Sequence, residues 1–350
     1  MSRELPDLSG HPAAWFGPDM AVDTGRWVHS LTRAEVNELE AAAERFLASG
    51  VDLAEITIDQ FDLPTMASRL AELRASLLHG PGFSLWRGLP VQQYSIEFVA
   101  AIYVGIGAHL GVARSQNAAG HLLGHVKDTG QDLADPRVRI YQTTQRQTFH
   151  TDSTDVVGLL CLADAKEGGE SLLASSLTVY GEMKNRHPDL VRHLFEVVAT
   201  DRRGEVPEGQ NAWFEIPVLN WHQGFLTTLY HREYINSAAR FETAPSLTEP
   251  QVSALDAWDS LANDPSIYLR MHLEPGDMQF VYNHHLMHDR TRFIDWEEPA
   301  KRRHLLRLWL SIPGDRPLPE VFAQRYGSVA VGRRGGIITS NSKLHVPLSP

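Results

Sequence analysis

The chain has 350 residues, 43% of them apolar and 21% charged, with a formal net charge of −11; this is the composition of a globular protein long enough to bury a large core. An acidic chain argues against a nucleic-acid partner, because backbone phosphates need a basic footprint, although a local arginine cluster can still receive a small anion. The lone cysteine, Cys161, excludes an internal disulfide and fits a reducing compartment.

No secretory signal is expected from Met1-Ser2-Arg3-Glu4-Leu5-Pro6-Asp7, which lacks a positive segment leading into an apolar one. No stretch approaches the roughly 18 apolar residues of a membrane span. The expectation is a cytoplasmic protein without membrane or nucleic-acid partners, acting on a small molecule; a homo-oligomer stays open.

Residues 1–30 are rich in Pro, Gly and Trp and predict an irregular arm. Thr32 with Glu35 is a capping box before an Ala/Glu/Leu-rich helix that stops at Gly50. Residues 65–78 repeat apolar positions at helical spacing, and a third helix begins near Ser95 and runs towards Leu110. After Pro136, Arg137-Val138-Arg139-Ile140-Tyr141-Gln142 alternates polar with β-branched or aromatic residues and predicts a strand. Residues 156–162 predict a buried strand that holds Cys161 as a small hydrophobe rather than a catalytic thiol. Residues 176–195 read as helical, with Pro188 suited to the first turn of the second half. Residues 202–211, rich in Gly, Glu and Arg, read as a mobile loop; residues 214–230 read as strands.

Thr248 with Gln251 caps a helix up to Asn263. Residues 268–273, 278–282 and 304–312 predict further strands, with Pro275-Gly276-Asp277 turning between the first two. There is no repeat or linker. The expected organisation is an arm and helices over residues 1–80, packed on a β-rich core over residues 81–350.

Two neutral imidazoles and one carboxylate suit Fe(II) and leave positions open for other ligands. His150 and Asp152 form an H-x-D pair that would point to one face of a strand. With 17 histidines, chance matches are expected. His187-Pro188-Asp189, His231-Arg232-Glu233 and His272-Leu273-Glu274 also fit the H-x-D or H-x-E form. His187 is explained by a helix start, and His231 and His272 have no matching elements downstream. His150 does: Gly168-Gly169-Glu170-Ser171, then Pro275-Gly276-Asp277-Met278, then His284-His285-Leu286-Met287-His288-Asp289-Arg290-Thr291, then Arg302-Arg303-His304-Leu305-Leu306-Arg307.

In this order and spacing, beginning near Gly82-Phe83 and Arg87-Gly88-Leu89 and running to about residue 315, the pieces resemble the taurine dioxygenase (TauD/TfdA) family of Fe(II)/2-oxoglutarate enzymes. The resemblance implies an α+β fold, a double-stranded β-helix (jelly-roll, cupin-like) core with N-terminal and inserted helices. It makes His150 and Asp152 the paired ligands. His288 becomes the distal one, because it directly precedes an x-R-T run, here Asp289-Arg290-Thr291, where the family often has Gly in place of Asp289. His284 and His285 then read as supports of the metal site or walls of the substrate pocket.

The same resemblance matches Arg303 to the arginine that pairs with the far carboxylate of 2-oxoglutarate, a task for a planar bidentate donor. Ser171 stands where the family has a Thr bonded to that carboxylate. Arg307 matches a second arginine that touches 2-oxoglutarate or an anionic substrate. Alternation along a strand puts Arg303, Leu305, Arg307 and Trp309 on one face. The substrate pocket is expected around Ser115-Gln116-Asn117, residues 221–234 and His284, with the loop 202–211 as a candidate lid.

The implied reaction consumes O2 and 2-oxoglutarate and releases succinate and CO2. A carboxylate-, amino-acid- or sulfonate-bearing substrate would be hydroxylated, desaturated or cyclised. The carboxylate of Asp152 argues against the related halogenases, which lack it. Two other classes stay open: a cupin-type metal enzyme independent of 2-oxoglutarate, which would not need Arg303 and Ser171 as a pair, and a non-catalytic β-barrel binding protein. A nucleophilic hydrolase or nucleotide-binding loop finds no support, since the chain has no G-x-S-x-G, P-loop or strand-linked G-x-G-x-x-G.

Overall fold

The strand His304–Ser311 reads His-Leu-Leu-Arg-Leu-Trp-Leu-Ser, and every residue after His304 is buried. A strand apolar on both faces belongs in the middle of a sheet covered on both sides. The computed structural model, which describes residues 5–131 and 138–350, places it there. It pairs antiparallel with Val156–Ala163 on one side and with Leu123–Lys127 and Val112–Ala113 on the other. Beyond Val156–Ala163 the sheet continues through Met278–Tyr282 and Phe83–Arg87 to Val28–Ser30. A second sheet runs Leu269–Met271, Ser171–Ser175, Leu286–Arg290, Gln147–His150, antiparallel throughout.

The two sheets face each other across one apolar core. Phe83, Val157, Leu305 and Trp309 come from the larger sheet, and Leu173, Leu269 and Leu286 from the smaller. Cys161 lies in this core, and burial pushes its thiol up to about 12. The helices Arg33–Ala48, Ala67–His79 and Ile96–Leu110 cover the outside of the larger sheet, with Phe46, Leu73 and Ile102 clustered with Leu160, Phe280 and Leu308. Close approach is needed there: a Cβ on Gly107 would lie 2.4 Å from Leu308 Cδ2. Ser176–Arg186 and Glu249–Ala262 cover the smaller sheet through Tyr180, Met183 and Trp258. This layering is the helix-covered double-stranded β-helix of the expected α+β class.

The helix starts follow the capping chemistry. Both capping boxes, Thr32 with Glu35 and Thr248 with Gln251, are formed, and Ser95 caps Ile96–Leu110. Three expectations are corrected. The irregular arm contains the helix Gly17–Val22 and the strand Val28–Ser30, held because Trp15 and Trp27 pack on Phe83. The strand expected over residues 137–142 is a single 3-10 turn, Ile140–Gln142. The Gln142 side chain accepts from the Arg139 amide and the Gln142 amide donates back to the Arg139 carbonyl, which closes a turn instead of a ladder. Arg137 lies outside the described residues. The helical reading of residues 176–195 breaks at Arg186, before Pro188, and resumes as the 3-10 turn Val191–Phe195.

Residues beyond Ser311 fold back over the sandwich. Arg334, fully buried, donates to Asp155 Oδ1 at 2.7 Å, Asp315 Oδ2 at 2.7 Å and the Arg316 carbonyl at 2.7 Å. His284 Nε2 lies 2.8 Å from the same Asp155 oxygen. Burial would raise the Asp155 carboxyl, but His284, Arg334 and the Ile312 amide hold it below the usual range. Removing one member of a buried ionic cluster strands the others. Arg334→Met is therefore expected to lower unfolding stability by about 3–5 kcal/mol, read as the urea midpoint. A loss under about 1 kcal/mol would show that the cluster does not hold the segment.

Candidate active site

The strand Gln147–His150 ends at His150, so Asp152 is not its next same-face neighbour as the strand reading expected. It reaches the same space from the turn that follows. The Asp152 amide donates to Asn283 Oδ1 at 2.9 Å, and Trp309 Nε1 donates to Asp152 Oδ2 at 2.8 Å. His288 sits directly opposite His150 in the antiparallel ladder, and their ring centroids are 4.1 Å apart. The backbone register itself brings the two imidazoles together.

His150 Nε2 lies 3.9 Å from Asp152 Oδ1, and His288 Nε2 lies 3.7 Å from Asp152 Oδ2. One donor atom from each residue falls within 4.8 Å of the other two. First-row divalent ions take such donors at about 2.0–2.2 Å, so two donors on one ion stand at most about 4.2 Å apart; both measured distances satisfy this. The protonation states fit as well. His150 Nδ1 donates to the Thr148 carbonyl at 2.8 Å, which leaves Nε2 as the ring's lone pair, accepting from the Gln147 side-chain amide at 2.9 Å. Burial lowers the His150 pKa and, with His150 beside it, pushes His288 down to about 3, so both rings are neutral ligands near pH 7. Burial opposes ionisation of Asp152, but Arg307, the two histidines and Trp309 overcome it and hold the carboxyl below its ordinary range. The donor set fits one divalent iron.

Two chambers meet at this point. Both are lined by Tyr141, Gln147, His150 and Arg307. The inner one continues past His288 to Ser171 and Arg303. Arg303 is buried, and among the described residues its Nη1 has no hydrogen-bond partner. Its guanidinium rests over the Phe293 ring at 5.3 Å, and burial lowers its pKa to about 10, still charged at neutral pH. Ser171 Oγ donates to Gln279 Oε1 at 3.1 Å.

The outer chamber contains Asp152, Gln116, His231, Tyr234 and Trp309. Arg307 stands at the junction. Its Nε donates to Gln116 Oε1 at 2.7 Å, and its Cζ lies 4.7 Å from the Tyr141 ring centroid and 5.0 Å from that of Trp309. The face predicted to carry Arg303, Leu305, Arg307 and Trp309 does so, with Arg303 just ahead of the strand.

Two substrate candidates lie elsewhere. Asn117 uses its side-chain oxygen to accept from the Ala119 and His121 amides, inside a turn. His284 is bound into the Asp155 cluster behind the metal position. Neither lines a chamber. Of the wall expected over residues 221–234, Leu229, Tyr230, His231 and Tyr234 line the outer chamber, whereas Trp221 is 38% exposed.

Several residues went unnoticed in the sequence. His231, set aside there as a chance H-x-E match, has its ring centroid 5.1 Å from that of His150 and stacks on Tyr234 at 3.6 Å. Tyr141 was assigned to a strand. Trp309 was placed on the right face without its bond to Asp152. Arg325 carried no signal at all, because it lies past the last motif.

The sequence profile of the family described as "Taurine catabolism dioxygenase TauD, TfdA family" matches residues 48–309. The chain is 30% identical over 318 residues to FR-33289 synthase of Streptomyces rubellomurinus, covering 89% of this chain and 93% of that protein. It is 29% identical over 175 residues to uridine-5'-phosphate dioxygenase of an Amycolatopsis species, covering 48% and 62%. An asparagine oxygenase structure holding Fe(II), 3-hydroxyasparagine and succinate superposes with a TM-score of 0.63 at 16% identity, over 81% of this chain and 93% of that one. The non-haem iron oxygenase OrfP with Fe and α-ketoglutaric acid gives 0.61 at 16%, over 81% and 93%.

The family match defines a non-haem iron dioxygenase, and the buried His/Asp/His set is a donor set that could hold its metal. The chain belongs to the TauD/TfdA family, whose cofactors are Fe(II), 2-oxoglutarate and O2. The cupin-type and binding-protein alternatives fall away. Among the described residues no helix is long and apolar enough to cross a membrane.

Groups that orient a metal ligand are worth about 10- to 100-fold in metal affinity. Trp309→Phe removes the indole donor from Asp152 while keeping an aromatic ring. It is expected to weaken Fe(II) binding by about 10-fold or more, measured by anaerobic titration. Unchanged affinity would show that Trp309 does not position the carboxylate.

Proposed function

We propose that this protein hydroxylates a small anionic organic molecule, using Fe(II) held by His150, Asp152 and His288 and 2-oxoglutarate seated in the inner chamber. The observation that carries this reading is Arg303. A buried guanidinium whose Nη1 has no hydrogen-bond partner among the described residues, at the end of a chamber that begins at two histidines, suits an anionic acceptor.

Bound iron and 2-oxoglutarate supply the oxidising power: O2 is consumed, the co-substrate becomes succinate and CO2, and a substrate C–H bond becomes C–OH. The residues do the rest. Arg303 receives the far carboxylate of 2-oxoglutarate, and the Ser171 hydroxyl, now on Gln279, turns to the same group. Asp152 stays ionised because Arg307 and Trp309 face it. Thr148 fixes the His150 tautomer.

Arg307 borders both chambers, between the co-substrate and the outer space. It is the residue placed to orient an anionic group of the substrate near the metal. Its guanidinium lies over the rings of Tyr141 and Trp309. One relative is named for uridine 5'-phosphate and a fold relative holds 3-hydroxyasparagine; each of these molecules has an anionic group, a phosphate or a carboxylate, which supports this class.

The test is a panel of carboxylate-, phosphate- and sulfonate-bearing compounds with Fe(II), 2-oxoglutarate and O2, scored by succinate release. His150→Ala is expected to abolish turnover. Arg303→Ala is expected to raise the 2-oxoglutarate KM by about 10- to 100-fold, the loss of a charged hydrogen bond. Full activity in His150→Ala would sink the metal assignment, and an unchanged KM in Arg303→Ala would displace the co-substrate.

A further inference from the structure

The far wall of the outer chamber contains positive charge that the reaction does not use. Arg325 comes from the short C-terminal helix Ala323–Tyr326, beyond the residues that match the family. It lines the chamber. Its Nε donates to Ser153 Oγ at 2.8 Å, one residue from Asp152, and among the described residues it forms no ion pair. Arg139 lines the same wall, with one buried N–H unpartnered among the described residues. A single carboxylate serves both: Glu205 Oε2 lies 3.1 Å from Arg139 Nη2 and borders the chamber beside Arg325.

Glu205 and Arg325 also line an outer cleft that contains Arg114 and Arg202. Among the described residues those two arginines donate to neutral oxygens, Arg114 to the Gly335 carbonyl and Arg202 to the carbonyls of Asn211 and Gln324 and to Gln210 Oε1. A positive path thus leads into the chamber of a chain whose net charge is −11. Such a path raises the local concentration of anions.

We propose that Arg325 and Arg139 form a second anion subsite, on the wall of the outer chamber, that takes an oxyanion group of the substrate, with Glu205 as the counter-charge that the anion displaces from Arg139. This deepens the reading above and rests on it. The substrate would carry its anionic group at this wall and present a C–H bond to the metal side. A guanidinium pair recognises oxyanions through parallel N–H donors, and Glu205 keeps the pair from being an uncompensated buried charge before the substrate arrives.

The probe is methyl phosphate, with neutral trimethyl phosphate as control. It is followed by 31P relaxation in protein loaded with Mn(II) in place of iron and saturated with 2-oxoglutarate, and by calorimetry in metal-free protein. Saturable methyl phosphate binding is expected, with none for the neutral ester. Arg325→Gln should weaken it by about 10-fold or more, and Glu205→Gln should tighten it, a gain that misfolding cannot produce.

Equal affinity in Arg325→Gln, weaker binding in Glu205→Gln, or displacement of methyl phosphate by 2-oxoglutarate would overturn the subsite. Loss of 2-oxoglutarate binding in the wild-type, measured separately, would instead overturn the co-substrate reading. The metal-free titration would still decide the subsite.

Discussion

Asp152 is buried, which by itself penalises its charge, yet it must be ionised to hold a metal. Arg307 and the Trp309 N–H, two residues apart on the central strand His304–Ser311, supply the compensation. A buried carboxylate without them would take up a proton instead. The rest of the architecture serves that pairing. Helices seal both outer faces, and the two sheets keep the interior dry enough for the arginine and the carboxylate to act on each other strongly.

Strand geometry then sets the division of labour. Because alternate residues share a face, one strand presents Arg303 to the inner chamber, Arg307 to the junction and Trp309 to the outer chamber. The opposing sheet supplies His150 and His288 from paired positions of one ladder. The proposed metal position is thus set by one ladder of the smaller sheet, and only Asp152 comes from a turn. That turn is secured from behind by Asn283, by Asp155 with Arg334, and by the Gly336 amide, which donates to the Ser153 carbonyl at 2.8 Å. Gly335 is required beside it: its φ is +78°, and a Cβ there would come within 2.8 Å of that carbonyl oxygen.

The C-terminal segment ties one wall of the outer chamber to the core. Arg334 anchors it to the core, and the same segment brings Arg325 to the chamber wall.

Capping boxes, apolar runs and turn dipeptides are local, so the helices at Arg33–Ala48, Ile96–Leu110 and Glu249–Ala262 and the strands Val156–Ala163 and His304–Ser311 were legible. The strands that carry the site were harder to see. Gln147–His150 is short and mostly polar and Leu286–Arg290 ends in His, Asp and Arg, so both are held by pairing with each other rather than by hydrophobic pattern. The 3-10 turn Ile140–Gln142 imitated a strand because alternation says nothing about whether a partner exists.

The sequence by itself determined the chemistry available: a paired His and Asp, a distal His before an x-R-T run, and two arginines at strand spacing. Tertiary structure alone decided which histidine stands beside the triad, that Asn117 and His284 face away from the chambers, and that Arg325 enters one. Those outcomes depend on contacts between residues far apart in the chain, such as Ser153 with Arg325 and His150 with His231, and no local pattern encodes them.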